Sequence, residues 1–192
     1  MRELKSIEER ILDKALYLIG SCGTMNVPIR TIAKEANVNI SAINYYFGTK
    51  ENMLKHTKEF FIENTTRIYS ILDEKEIAVE ERLILFANEI MEHTIRYSGL
   101  SVMFKEAEKL KEEDEVSRKI VEETKELHHK MELALSEILD KDRKKIEYNV
   151  LIFISAILYP VEKMEKRDYM EEILNNKEVR LEYIKHIINT LK

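Results

Sequence analysis

The chain has 192 residues, 35% of them charged and 44% hydrophobic, with a net charge of −5 and only Gly 4, Pro 2 and Cys 1. So little glycine and proline, in a chain rich in Glu, Lys, Leu and Ile, predicts an all-α protein with short connections, and one cysteine excludes an internal disulfide and any multi-cysteine metal centre. Residues 1–58 hold nine Lys/Arg and six Asp/Glu, net +3, while residues 59–192 hold 22 and 30, net −8: a basic-leaning head on an acidic body, which points to an anionic partner for the head.

The first helix opens at Ser6-Ile7-Glu8-Glu9, a capping box with Ser6 as N-cap. Ile7, Ile11, Leu12, Ala15, Leu16 and Ile19 form its apolar stripe, and Gly20 and Gly23 are expected to end it. Cys22 falls in line with that stripe and is read as a small buried hydrophobe. The polar, charged start offers no signal peptide.

Pro28 suits the first position of a second helix, whose inner face is Ile29, Ile32, Ala33 and Ala36. Asn37 follows where a left-handed residue is wanted, Val38 plugs the turn, and Asn39 can cap a third helix. With Ile43 at the centre of that helix's buried face, Phe47 and Tyr46 lie about 40° and 60° to either side, while Ser41, Asn44 and Tyr45 lie roughly 100–160° away. The outward ring of the Tyr45-Tyr46-Phe47 triplet is therefore Tyr45. Gly48 stops the helix and Thr49 caps a fourth, beginning at Lys50. Three short helices, two of them joined by a tight turn, make a helix-turn-helix head, residues 1–48, with its motif at about 28–47.

The remainder, 49–192, reads as a helical body with helices at about 49–72, 78–97, 100–112, 115–139, 142–164 and 178–191, and a short one near 167–175. Breaks fall at "SGLS" (98–101), "EDE" (113–115), "LDKD" (139–142) and "NNK" (175–177). The longest apolar stretch, "VLIFISAILYPV" at 150–161, is too short for a bilayer, which needs about 20 residues. Pro160 is expected to kink or end its helix. A soluble, cytoplasmic protein without membrane contact is expected.

The stretch "VPIRTIAKEANVNISAINYYFGTKENM" resembles the DNA-binding domain of the TetR/AcrR family of transcriptional regulators, in its Thr-Ile-Ala of helix two, its Val-Asn turn, the Tyr-Phe end of helix three and the Lys-Glu that opens helix four. The resemblance covers residues 6–55. It implies that helix three, roughly Asn39 to Tyr46, enters the major groove of double-stranded DNA, with Asn39, Ile40, Ser41, Ala42 and Asn44 among the expected DNA-binding residues. It also implies that Tyr45 touches a phosphate or thymine methyl, that Tyr46 and Lys50 contact the backbone, and that Arg30 of helix two can reach a base. The chain departs from the family pattern at Asn37 for the turn glycine, Val27 for a capping threonine and Asn44 for a frequent tyrosine. Residue chemistry agrees: an exposed Asn can bond adenine bidentately, Ser can reach base or phosphate, and a small Ala allows close approach.

The resemblance further implies a homodimer, a pseudo-palindromic operator and a small-molecule effector, with repression as the expected activity. Leu151, Ile154, Leu158, Ile184, Ile187, Ile188 and Leu191 are the expected dimer contacts. Phe61, Phe86, Met91, Met103, Phe104 and Met131 are candidate effector-pocket residues, because thioethers adapt to varied shapes. Helix four is expected to act as a lever between body and head.

No catalytic residue, cofactor or metal is expected. His128 and His129 are adjacent and diverge on a helix, and neither a phosphate loop nor a nucleophile turn is present. The carboxylates read as solvated faces and i, i+4 ion pairs, among them Glu122 and Glu126 beside Lys125 and Lys130. Two other classes remain open: a helical protein-interaction module, which would not need Lys50 or the polar Ser41–Asn44 face, and an enzyme, which would need a convergent acid–base cluster.

Overall fold

The protein was analysed as a computed structural model that describes residues 6–98, 101–139, 143–162 and 168–192. Among them are ten α-helices: α1 (Ile7–Cys22), α2 (Ile29–Glu35), α3 (Ile40–Phe47), α4 (Lys50–Tyr69), α5 (Val79–Arg96), α6 (Ser101–Leu110), α7 (Glu115–Ser136), α8 (Arg143–Glu162), α9 (Asp168–Asn175) and α10 (Lys177–Leu191), with a 3-10 turn at Ser70–Asp73. The all-α class holds. The expected break at 139–142 and the end of the expected 142–164 helix lie largely outside the described residues. No helix among the described residues is long and apolar enough to cross a membrane.

The contacts divide the chain into two compact units, residues 1–65 with 96–124, and residues 66–95 with 125–192. The division cuts α4 after Thr65 and α7 after Thr124. Each unit has its own apolar core.

In the first unit, local signals set the helix ends. The Ser6 hydroxyl accepts from the Glu9 amide at 3.1 Å, as a capping residue should. Helix α1 does not stop at Gly20 but runs to Cys22, with Gly23 left-handed beyond it at φ 66°. Gly20 serves a different purpose: a Cβ there would stand 2.1 Å from the Ser98 carbonyl oxygen, so only glycine permits this approach of α1 to the 96–98 segment. Cys22 is exposed, against expectation. The whole end of α1, from Ser21 to Thr24, lies in solvent, so facing the stripe's direction does not bury it.

Ile11, Leu16 and Ile19 of α1 pack with Ile32 of α2, Ile43 and Phe47 of α3, Met53 and Phe60 of α4, Met103 of α6 and Ile120 of α7. Two ionic clusters are built into this unit. Asp13, almost fully buried on α1, accepts from Arg96 Nη2 at 2.6 Å, from Arg96 Nε at 3.0 Å and from the Tyr97 hydroxyl. Burial and the adjoining Asp13 raise the Tyr97 hydroxyl's pKa, so it stays a donor. The Lys58 ammonium reaches Asp114 at 2.7 Å and the Ser117 hydroxyl at 2.9 Å. Partial burial pushes the Asp114 carboxyl up, but hydrogen bonds from Lys58 and Ser117 outweigh it and bring its pKa to about 2.

In the second unit, Arg180 of α10 is the chief polar anchor. It donates to Glu92 at 2.8 Å, to Asn88 at 2.9 Å, and to the Ile173 and Leu174 carbonyls at 3.3 and 3.0 Å, which satisfies oxygens that the end of α9 leaves open. Pro160 does not end α8, which continues to Glu162. Proline has no N–H for the Ala156 carbonyl four residues back, and the Tyr183 hydroxyl of α10 supplies the missing donor at 2.6 Å. Lys130 pairs with Asp73 at 2.6 Å instead of with a carboxylate on its own helix.

Candidate nucleic-acid interface

The candidate interface is α3 with its two flanking turns. Pro28 stands one position earlier than expected, as the N-cap of α2, with no side-chain bond to close that end. Asn37 adopts φ 53°, the left-handed geometry that turns the chain after α2. Val38 is half-buried against the core. The Asn39 side-chain oxygen accepts from the Ala42 amide at 2.7 Å and so caps α3. That bond occupies the Asn39 carbonyl oxygen and leaves its NH2 group as the part able to meet a ligand.

Ile43 and Phe47 anchor α3 in the first unit's core. Gly48, at φ 71°, turns the chain out of α3, and its amide donates to Asn44 O at 2.9 Å. The Asn52 amide NH2 then ties the Phe47 carbonyl at 2.8 Å, and the Thr49 hydroxyl caps α4 by accepting from the Asn52 N–H at 3.1 Å. Both ends of α3 are thus closed by neighbouring side chains, which fixes the direction of its outer face.

That face carries Ser41, Asn44 and Tyr45. All three are exposed, Tyr45 to 83%, and among the described residues neither the Ser41 hydroxyl nor the Asn44 side-chain amide has a hydrogen-bond partner. Ile40 is exposed at the start of the helix and Ala42 is half-buried beside it. Tyr46 sits between its neighbours, in an edge-on contact with Tyr45 (centroids 5.2 Å apart) and 6.3 Å from Phe47. Arg30 stands exposed on α2. Lys50 is half-buried, and its ammonium donates to the Asn26 side-chain oxygen at 2.7 Å. The structure therefore brings Lys50 and α3 onto consecutive turns, joined through Gly48 and Thr49. A surface of this kind offers unused donors and acceptors, an aromatic ring, two cations and a small residue for close approach, which suits a groove edged by phosphates.

Asn26 is the member that sequence reasoning missed. It lies 24 positions from Lys50, and no periodicity or motif links the two.

The other expected site residues separate into two groups. Phe61, Met103 and Phe104 belong to the first unit, with Phe61 and Phe104 edge-on at 5.3 Å. Phe86, Met91 and Met131 are fully buried in the core of the second. The expected dimer stripe divides between core and surface. Ile184, Ile187 and Ile188 are already buried in their own chain's core, because α10 turns its apolar side inward. Leu151 is 65% exposed, and Ile154, Leu158 and Leu191 are half-buried. Tyr148, Ile152 and Tyr159, which were not anticipated, join Leu151 on the outside of α8.

Comparison with known proteins agrees with this geometry. Residues 11–57 match the family profile described as bacterial regulatory proteins, tetR family. "Probable HTH-type transcriptional regulator YttP" of Bacillus subtilis (strain 168) is 32% identical over 62 residues, covering 32% of this chain and 30% of that protein. The HTH-type transcriptional regulator BetI of Agrobacterium fabrum is 35% identical over 57 residues, 30% of this chain and 28% of that protein. The matched stretch thus spans less than a third of each curated relative. Over the whole length the likeness is one of fold. A TetR-like transcriptional regulator from Rhodococcus sp. RHA1 superposes with a TM-score of 0.65 at 11% identity, covering 99% of this chain and 96% of that one. The fatty acid degradation regulator FadR from Bacillus halodurans gives 0.59 at 18% identity, with the same coverage. The helix-turn-helix head, residues 11–57, thus matches the tetR-family profile, and the all-α fold of the chain is that of TetR-like regulators.

Proposed function

We propose that this chain is a DNA-binding transcriptional regulator that lays α3 in the major groove. It acts in the cytoplasm as a homodimer on a pseudo-palindromic operator, as a repressor released by a small-molecule effector. The observation that carries this reading is the outer face of α3, where Ser41, Asn44 and Tyr45 are exposed on a helix anchored by Ile43 and Phe47 and capped at both ends. Asn44 and Ser41 are the base-reading groups, Arg30 can reach a further base, Tyr45 meets a thymine methyl or phosphate, and Tyr46 and Lys50 hold the backbone, which fixes register. The exposed apolar stripe of α8 supports the homodimer, and two-fold symmetry then sets half-sites about 34–36 Å apart or somewhat more. The likeness of the head to the tetR-family profile supports an effector, for which the buried Phe86, Met91 and Met131 of the second unit are the candidate lining.

Selection from a pool of randomised duplexes, followed by titration at several salt concentrations, tests this. A recovered two-fold symmetric motif, with affinity that falls steeply with salt, is the expected result. Recovery of no motif together with salt-independent, weak association would exclude a sequence-reading DNA binder. Once an effector is in hand, calorimetry with and without operator should show each ligand weakening the other by the same factor, typically 5–150-fold.

A further inference from the structure

We propose that Asn26 is a positioning residue for Lys50, setting the lysine's ammonium for a DNA phosphate before DNA arrives; this rests on the reading of α3 and Lys50 as a DNA interface. Lys50 is the first residue of α4, immediately after the Thr49 cap, and its Nζ lies 2.7 Å from the Asn26 side-chain oxygen. An ammonium has three donors, so this bond leaves two for phosphate oxygens. A lysine stem is long and flexible, and a restrained one loses less freedom when it meets its ligand. A helix N-terminus also repels a cation, so some acceptor must keep the ammonium near this end.

The chemistry of the acceptor matters. Lys14 and Lys58, two other lysines of the first unit, point at the carboxylates of Glu35 and Asp114. Those pairs neutralise charge. Asn26 holds Lys50 through a neutral amide oxygen, so the full positive charge stays available to a phosphate. Asn26 is itself held: its amide N–H donates to the Thr24 hydroxyl at 3.1 Å, and the next residue, Val27, is buried in the core. The lysine is therefore tied to a loop residue whose next neighbour is anchored in the core.

The test uses the full-length protein and a duplex recovered by the selection above, with binding followed by fluorescence anisotropy across a salt series. Lys50→Ala should lower the salt slope by about one unit. Asn26→Ala should weaken binding about 3- to 10-fold, the size of one net hydrogen bond, with the slope unchanged. In the Lys50→Ala background the same Asn26→Ala change should do nothing further, since its effect passes through Lys50. Asn26→Asp should lower the slope by about one unit, because a carboxylate would cancel the lysine's charge. Wild-type affinity for Asn26→Ala, tighter binding, or an equal loss when Lys50 is already alanine would each overturn the proposal. If Lys50→Ala itself leaves affinity and slope unchanged, the phosphate role of Lys50 fails first. If it has its effect and Asn26→Ala has none, only the positioning role fails.

Discussion

The outer faces of α3 and α8 both leave large side chains in water, but they differ in what surrounds them. On α3 the exposed Tyr45 stands among hydrogen-bonding groups, Ser41 and Asn44, whose side chains have no hydrogen-bond partner among the described residues. On α8 the exposed Tyr148, Leu151, Ile152 and Tyr159 recur at helical spacing, with the exposed Ser155 among them. A ring beside free donors and acceptors suits a ligand that is read, as base edges are. An aliphatic and aromatic stripe suits one that is packed against, as in the core of a homodimer contact. Net exposure of apolar residues alone would not have separated the two.

The sharpest way to break the comparison is to contrast adjacent residues of α3. Phe47→Ala removes a ring that is buried in the core and should cost about 3–5 kcal/mol in urea unfolding. Tyr45→Ala should leave stability within about 0.5 kcal/mol while weakening DNA binding. Equal loss of stability from both would mean that Tyr45 is a structural residue.

On α8, Leu151→Glu should raise the dimer dissociation constant at least about 30-fold, a loss of roughly 2 kcal/mol or more, with helicity retained. Sedimentation measures it, and a variant that stays fully dimeric would move the contact off this face. A charge at Ile187 is a poor substitute test, because that residue is buried within its own chain and the change would unfold the second unit.

Asn44→Ala or Ser41→Ala should then sharpen the α3 side. Each should relax base preference at particular operator positions by about 1–3 kcal/mol without altering the salt slope. A selection that returns the wild-type motif for both variants would show that these residues do not read bases.

The smallest effect comes from outside both faces. Part of the loss of stability at low pH arises at Asp114. Its folded pKa is about 2, below the ordinary 3.8, so its contribution is complete above the ordinary carboxylate range and lost as pH falls through about 2. Because the carboxyl is about a third exposed, with a side-chain accessibility of 36%, solvent screening holds the contribution to about 1 kcal/mol or less. Unfolding of Asp114→Asn should therefore show a flatter pH dependence than wild type between about pH 5 and 2. Identical slopes would assign the acid sensitivity to other carboxylates.

The sequence by itself determined whatever depends on a few neighbouring residues. The caps at Ser6, Asn39 and Thr49, the left-handed Asn37, the stop at Gly48 and the outward turn of Tyr45 were all legible. Each follows from hydrogen bonds and steric limits that act within about four positions. The helix-turn-helix and its candidate reading face could be derived because they are made of such local events. What only the tertiary structure decided was which side of each helix another part of the chain covers. It placed Cys22 in solvent, put Gly20 against the Ser98 carbonyl, turned Ile184 and Ile188 inward, carried α8 past Pro160 with the help of Tyr183, and joined Lys50 to Asn26. A periodic pattern marks an apolar face but not its partner, because the partner is tens of residues away and chosen by the packing of the whole unit.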